Sequence, residues 1–117
     1  MAIRLSNEAF DELVDEALTQ IPSELLELID NCVVVIEDDV LPGMEPMLGL
    51  YEGIPLTERD SGYDAILPDK ITIFRQPLLG MVSSESELVE EILITVIHEI
   101  AHHFGIDEDV LDEYGYQ

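Results

Sequence analysis

The 117-residue chain is poor in positive charge. Arg4, Arg59, Lys70 and Arg75 are its only basic side chains, against 27 Asp and Glu, and the formal net charge is −23. A surface with such a field repels phosphate backbones and anionic headgroups, which excludes nucleic-acid and membrane-surface binding as primary roles. The acids are scattered through amphipathic segments and loops, not set in rows, so a mimic of nucleic acid is disfavoured too. They read as solvated surface, able to attract divalent cations or basic peptides. The acid cluster Glu37-Asp38-Asp39-Val40 lacks the spaced ligands and the glycine of a calcium loop. Cysteine is scarce: Cys32 stands alone, no intrachain disulfide can form, and nothing points to an oxidising compartment. Long apolar runs are missing. The longest, ILITVI (Ile92 to Ile97), has six residues, where a membrane span needs about 20. The opening stretch MAIRLSNEAFDELVDEAL has no signal-peptide core. A soluble, cytoplasmic protein is expected.

What is present suffices for one small core. The chain is 47% hydrophobic, and its length fits a single domain over residues 1–117. Phe10, Leu13, Val14, Ala17, Leu18 and Ile21 recur at helical spacing, with acids on the other side and Ser6 or Asn7 as cap. Pro22 ends that helix and suits the start of another, PSELLELID. CVVVIE (Cys32 to Glu37) is rich in β-branched residues and reads as a buried strand. The middle, roughly Asp38 to Asp69, holds Pro42, Pro46, Pro55 and Pro68 and is mostly loop, with a short strand in MLGLYEG. KITIFR (Lys70 to Arg75) alternates as a strand that Pro77 stops. It is a candidate sheet edge on which an extended peptide could add as a strand, or else an ordinary interior strand. Ser84 and Glu87 form a capping box, and Gly105 is the natural end of the helix they open. That helix is apolar on nearly every side, except for a stripe of Glu91, Thr95, His98 and His102.

All three histidines of the chain lie in TVIHEIAHHFGIDEDV. His98-Glu99-Ile100-Ala101-His102 is H-E-x-x-H on a helix. Residues four apart share a face, so two imidazoles can grip one ion. Zinc accepts neutral imidazole and prefers four ligands. Glu99 lies about 100° round the helix from His98, outside the ligand set but within reach of a zinc-bound water. A core histidine with a satisfied hydrogen bond is the plain alternative. Two histidines bracketing a glutamate in an otherwise buried helix fit that reading poorly, because an unpaired buried carboxylate is costly. After Gly105 the chain swings back, and Asp107, Glu108 and Asp109 are candidates for a third ligand. Three protein ligands and a water make a catalytic site. His103 points off the metal face, toward a supporting or packing role. Glu91 and Thr95 are placed to orient a histidine's second nitrogen or to form a buried pair of their own. Tyr51, Tyr63, Arg59, Arg75 and His103 are candidate oxyanion or substrate contacts, with ordinary packing and surface ion pairing as the plain reading of each.

Beyond this motif, FDELVDEAL (Phe10 to Leu18), LGLYEGIPLTER (Leu48 to Arg59), LPDKITIFRQPL (Leu67 to Leu78) and HEIAHHFGIDE (His98 to Glu108) occur in a telling order and spacing. In these the chain resembles the minimal zincin-like metallopeptidases, small bacterial proteins regarded as zinc proteases with a matrix-metalloprotease-like domain. Their pattern is H-E-x-x-H-x-x-G-x-x-D. The resemblance implies His98 and His102 as zinc ligands, Glu99 as catalytic acid/base, Gly105 as the turn and Glu108 as third ligand. Glu108 stands where Asp is usual, and Asp107 is the alternative. It also implies one Zn2+ per chain, hydrolysis of a peptide or protein substrate, and an α+β fold with a small mixed sheet packed against the active-site helix and an N-terminal helix. The third histidine and methionine turn of the longer metzincins are not found: no Met follows Met81. The alternative function is a zinc-binding, non-catalytic module for a basic partner, which would not need Glu99.

Overall fold

The computed structural model describes residues 3–29, 31–53, 68–107, 109 and 111. Helix α1 (Asn7–Leu18) starts where the Ser6 hydroxyl accepts the Ala9 N–H at 3.1 Å, and it buries Phe10, Val14 and Ala17. Pro22 precedes the short α2 (Ser23–Leu28). Strand β1 (Cys32–Glu37) follows, then β2 (Gly49–Glu52) and β3 (Asp69–Phe74). Two helices follow: α3 (Arg75–Met81) and the 20-residue α4 (Glu85–Phe104). The fold is α+β, as expected.

The three strands form one mixed sheet in the order β1-β3-β2. β1 runs parallel to β3, from Cys32 opposite Asp69 to Glu37 opposite Phe74. β2 runs antiparallel to β3, from Gly49 opposite Ile73 to Glu52 opposite Lys70. Two sequence readings are decided here. KITIFR is not an edge but the central strand, with Ile71, Thr72, Ile73 and Phe74 all buried. CVVVIE is not a buried strand but an edge, and Val33 is 43% exposed. Both segments are β-branched and apolar, and composition alone does not rank strands from the centre outward. Nor does Pro77 end β3: the chain turns helical at Arg75, and Pro77 occupies the first turn of α3, where its missing N–H is not needed.

Strand periodicity then sorts the side chains. Ile71 and Ile73 belong to the core formed with Ile92, Val96 and Ile100 of α4 and Phe10 and Val14 of α1. Tyr51 and Gly49 stand opposite Ile71 and Ile73 and therefore share that face. α4 is the element on which α1, α2, α3, β2 and β3 pack. Its Ser84 cap accepts the Glu87 N–H at 3.2 Å, while the Glu87 carboxylate reaches back to the Ser83 hydroxyl at 2.7 Å. It ends at Gly105 in the left-handed region (φ 68°), with the Ile106 N–H bonded to the Ala101 carbonyl at 2.9 Å. No described helix is long and apolar enough to cross a membrane.

Candidate metal centre and active site

β2 crosses α4 closely at its C-terminal half. The reason is Gly49: a Cβ there would lie 2.7 Å from Thr95 Cγ2 and 3.2 Å from the Thr72 carbonyl oxygen. Only a residue without a side chain lets the strand come down to that depth. Two residues on, the Tyr51 N–H turns away from β3 and donates to Glu99 Oε1 at 3.1 Å. The edge strand's free donor is thereby met by the carboxylate of the H-E-x-x-H motif. Glu99 Oε2 is left on the other side, 3.9 Å from His102 Nδ1.

His98, Glu99 and His102 line a cleft of about 290 Å³ together with Glu91, Thr95, Ile94, Met47, Leu48 and Gly49. The ligand stripe read from the sequence, Glu91-Thr95-His98-His102, is therefore one wall, and the start of β2 the other. The two imidazole rings stand 6.3 Å apart, centre to centre. His102 is open to solvent, its side chain 71% exposed. His98 is different. Its Nε2 is buried and has no hydrogen-bond partner among the described residues. Leaving such an atom unpaired costs about 1–3 kcal/mol, and a metal ion coordinated by the nitrogen removes that cost. His98 and His102 thus fit a zinc ion in the chemistry of their donors, with one nitrogen already desolvated.

The third ligand is not placed. Glu108 lies outside the described residues, Asp107 is exposed, and no three His, Cys, Asp or Glu side chains converge among the described residues. Arg59 and Tyr63 also lie outside them, as does most of the expected closing turn after Asp107. Glu91 and Thr95 form no bond to a histidine among the described residues.

His103 and Tyr51 support the site from behind. The His103 ring stacks on Tyr51 at 4.0 Å and 19°, edge-on to Phe104. Gly53 leaves room for it, since a Cβ there would meet His103 Cε1 at 2.7 Å. The Tyr51 hydroxyl donates to Asp69 Oδ2 at 2.7 Å. Burial, and then this bond to a carboxylate, push the Tyr51 phenol well above its ordinary pKa. It remains a protonated donor committed to Asp69. Burial, then the nearby Asp69 charge, likewise raise the Cys32 thiol. Composition singles out neither Asp69 nor Gly49. The i, i+2 pairing of Tyr51 with Gly49 and Gly53 in LGLYEG is the available signal.

Arg75 is engaged elsewhere. Its side chain, 11% exposed, pairs with Asp11 at 3.6 Å and Asp38 at 3.5 Å and lies over the Phe10 ring at 5.3 Å. It fastens the β3–α3 junction to α1 and to the end of β1, and it does not line the cleft.

A long helix bearing H-E-x-x-H, packed under the antiparallel edge strand of a small mixed sheet, agrees with the arrangement that the zincin-like resemblance implies. A family model for zincin-like metallopeptidases matches residues 29–116, and the chain belongs to that family. Among solved structures it is similar to a conserved hypothetical protein from Thermus thermophilus, with a TM-score of 0.57 and 24% identity over 92% of this chain and 99% of that one. That likeness concerns the fold. No curated protein sequence is significantly similar to this chain.

Proposed function

We propose that the protein is a zinc-dependent peptidase in which His98 and His102 hold the metal and Glu99 is the acid/base. The observation that carries this reading is the Nε2 of His98, buried and without a partner among the described residues, in a cleft it shares with His102 and Glu99. Membership of the zincin-like metallopeptidases supports it. Glu108 is the third ligand by resemblance, with Asp107 as the alternative.

Zinc held by His98 and His102 would supply Lewis acidity and an activated water with a pKa of about 7. The chain's own part is proton transfer and positioning. Glu99 Oε2 takes the water's proton and delivers it to the leaving amine. Oε1 stays bonded to the Tyr51 N–H throughout, so the carboxylate keeps one orientation through both transfers. β2 lies at the sheet edge with Gly49 lining the cleft, which suits an extended peptide laid beside it.

One observation favours the rival reading of a metal-binding, non-catalytic module for a basic partner. The Glu99–Tyr51 bond gives Glu99 a structural use that needs no chemistry. Glu99→Gln separates the two, because the amide oxygen still accepts the Tyr51 N–H while the base is gone. On the peptidase reading, Glu99→Gln keeps its zinc and its melting temperature and loses about 10²–10⁴-fold in kcat/KM. Unchanged cleavage would establish that Glu99 only ties β2 to α4. Metal content is measured beside it: one zinc per chain in the parent, lost in His98→Ala and His102→Ala. Equal zinc in all three overturns the site.

A further inference from the structure

Glu91 enters the same cleft two helical turns before His98. Seven residues bring it back to within about 20° of His98 around the axis and set it about 10 Å away along the axis. At that distance it is too far to ligate the same ion, whose carboxylate bonds are about 2 Å long, and too far to orient the His98 ring. Glu91 is half-buried, and its carboxylate has no hydrogen bond or ion pair among the described residues. The cleft's other carboxylate, Glu99, is held by Tyr51. Lys70 and Arg75 are paired with Glu52, Asp11 and Asp38, and neither lines the cleft. Ile94, Met47 and Leu48 give the cleft an apolar wall, with Thr95 between Glu91 and His98 on the helix.

We propose that Glu91 is a binding subsite for a cationic side chain, so that the site takes peptides carrying Lys or Arg two or three residues from the bond to be cleaved. The proposal rests on the peptidase reading of His98, Glu99 and His102. A carboxylate that no described side chain pairs with is open to an ammonium or guanidinium group, with which it makes a charge-assisted hydrogen bond. Apolar walls beside it suit the aliphatic stem of such a side chain, which lies along hydrocarbon while its head finds charge. The spacing follows from chain geometry: an extended peptide advances about 3.3 Å per residue, so about 10 Å is three residues or fewer when the cationic side chain itself reaches toward Glu91. The net charge of −23 acts in the same direction, by concentrating basic peptides at the surface.

The test uses the zinc-loaded full chain and one fluorogenic peptide series that differs only in placing Lys, Gln or Glu two or three residues from the scissile bond, on either side. The parent is expected to cleave in the order Lys, Gln, Glu, with at least a roughly tenfold Lys-to-Glu ratio in kcat/KM that shrinks at high salt. Glu91→Gln collapses that ratio towards one and Glu91→Lys inverts it. Glu90→Gln removes the same charge from the adjacent exposed position and leaves the ratio as it was. The same peptides are also titrated by fluorescence anisotropy against zinc-loaded Glu99→Gln and Glu91→Gln/Glu99→Gln. Cleavage without a preference, or a preference that survives Glu91→Gln, overturns the subsite and leaves the peptidase standing. Preferential binding of the Lys peptide that depends on Glu91, with no cleavage by the parent, supports the subsite and overturns the peptidase. Equal binding of all three peptides with no cleavage overturns both.

Discussion

Gly49→Ala probes the contact that sets the depth of the cleft. The added methyl carbon would lie 2.7 Å from Thr95 Cγ2, 3.2 Å from the Thr72 carbonyl oxygen and 3.8 Å from Glu99 Cγ. Carbon atoms in contact want about 3.5–4.0 Å, so β2 must rise from α4 by roughly an ångström or Thr95 must leave its rotamer. Thr95 is buried within a core helix and β-branched, so its rotamer is stiff. Overpacking of this kind costs about 1–3 kcal/mol. For a chain of this size that is a fall in melting temperature of about 3–6 °C per kcal/mol. Lifting β2 also draws the Tyr51 N–H off Glu99, so kcat/KM measured well below the transition should fall together with stability. Thr95→Ser removes the colliding methyl. The double variant Gly49→Ala/Thr95→Ser should therefore lose less than the sum of the single losses, with a coupling of about 0.5–2 kcal/mol by urea denaturation. Strict additivity of the two changes would falsify the claim that this one contact governs the approach of strand to helix.

Further outcomes follow from the same geometry. Tyr51→Phe removes one donor to Asp69, a residue only 9% exposed, and should cost about 1.5–3 kcal/mol by denaturant titration; a loss below about 0.5 kcal/mol would show that the other contacts of Asp69 satisfy it. The same phenol has its pKa raised by folding, so its contribution to stability is complete below the unfolded value of about 10 and is lost as pH climbs toward the higher folded value. The parent should weaken above about pH 10 more steeply than Tyr51→Phe does, as read from melting curves across roughly pH 8–11. Zinc at about a hundredfold excess over its dissociation constant should stabilise the parent by about 2.7 kcal/mol, a gain abolished by chelator and not seen in His98→Ala. Arg75→Ala should lower stability by about 1–3 kcal/mol through lost packing on Phe10 and lost pairing with Asp11 and Asp38, while zinc content stays at the parental level; a drop in zinc would place Arg75 closer to the metal than its contacts do.

How far the sequence speaks depends on whether the information is local. α4 is legible from end to end because each signal is carried within a turn: Ser84 and Glu87 at the start, an apolar surface between, Gly105 at the stop. The pairing of His98 with His102 is a matter of helix period and needs no tertiary context. The strands are legible as strands, but their order is not. β1 and β3 have similar composition, and only the partners across the sheet decide that Ile71 and Ile73 sit in the middle while Val33 meets solvent. The helix at Arg75–Met81 escapes a sequence reading in which Pro77 is a stop, although proline in a first turn is compatible with helix. Gly49 and Asp69 carry no local signature. Each matters through a residue far along the chain, Thr95 in one case and Tyr51 in the other.

The same long-range contacts explain why a short strand is needed beside the histidines at all. H-E-x-x-H on a free helix would present Glu99 as a mobile side chain with several rotamers, each placing the carboxylate differently. The Tyr51 N–H selects one of them by bonding a single oxygen, and it can do so only because β2 is an edge whose N–H has no strand to meet. The strand in turn is pinned by the Tyr51 hydroxyl on Asp69, by the stack on His103 and by the absence of a side chain at Gly49. The Glu99 carboxylate, the edge strand and the central strand are thereby joined through one tyrosine, whose ring, hydroxyl and backbone each have a different partner. A change at any of the three should reach Glu99, and the order of effect on cleavage should follow directness: loss of the backbone bond first, then the clash at Gly49, then loss of the hydroxyl.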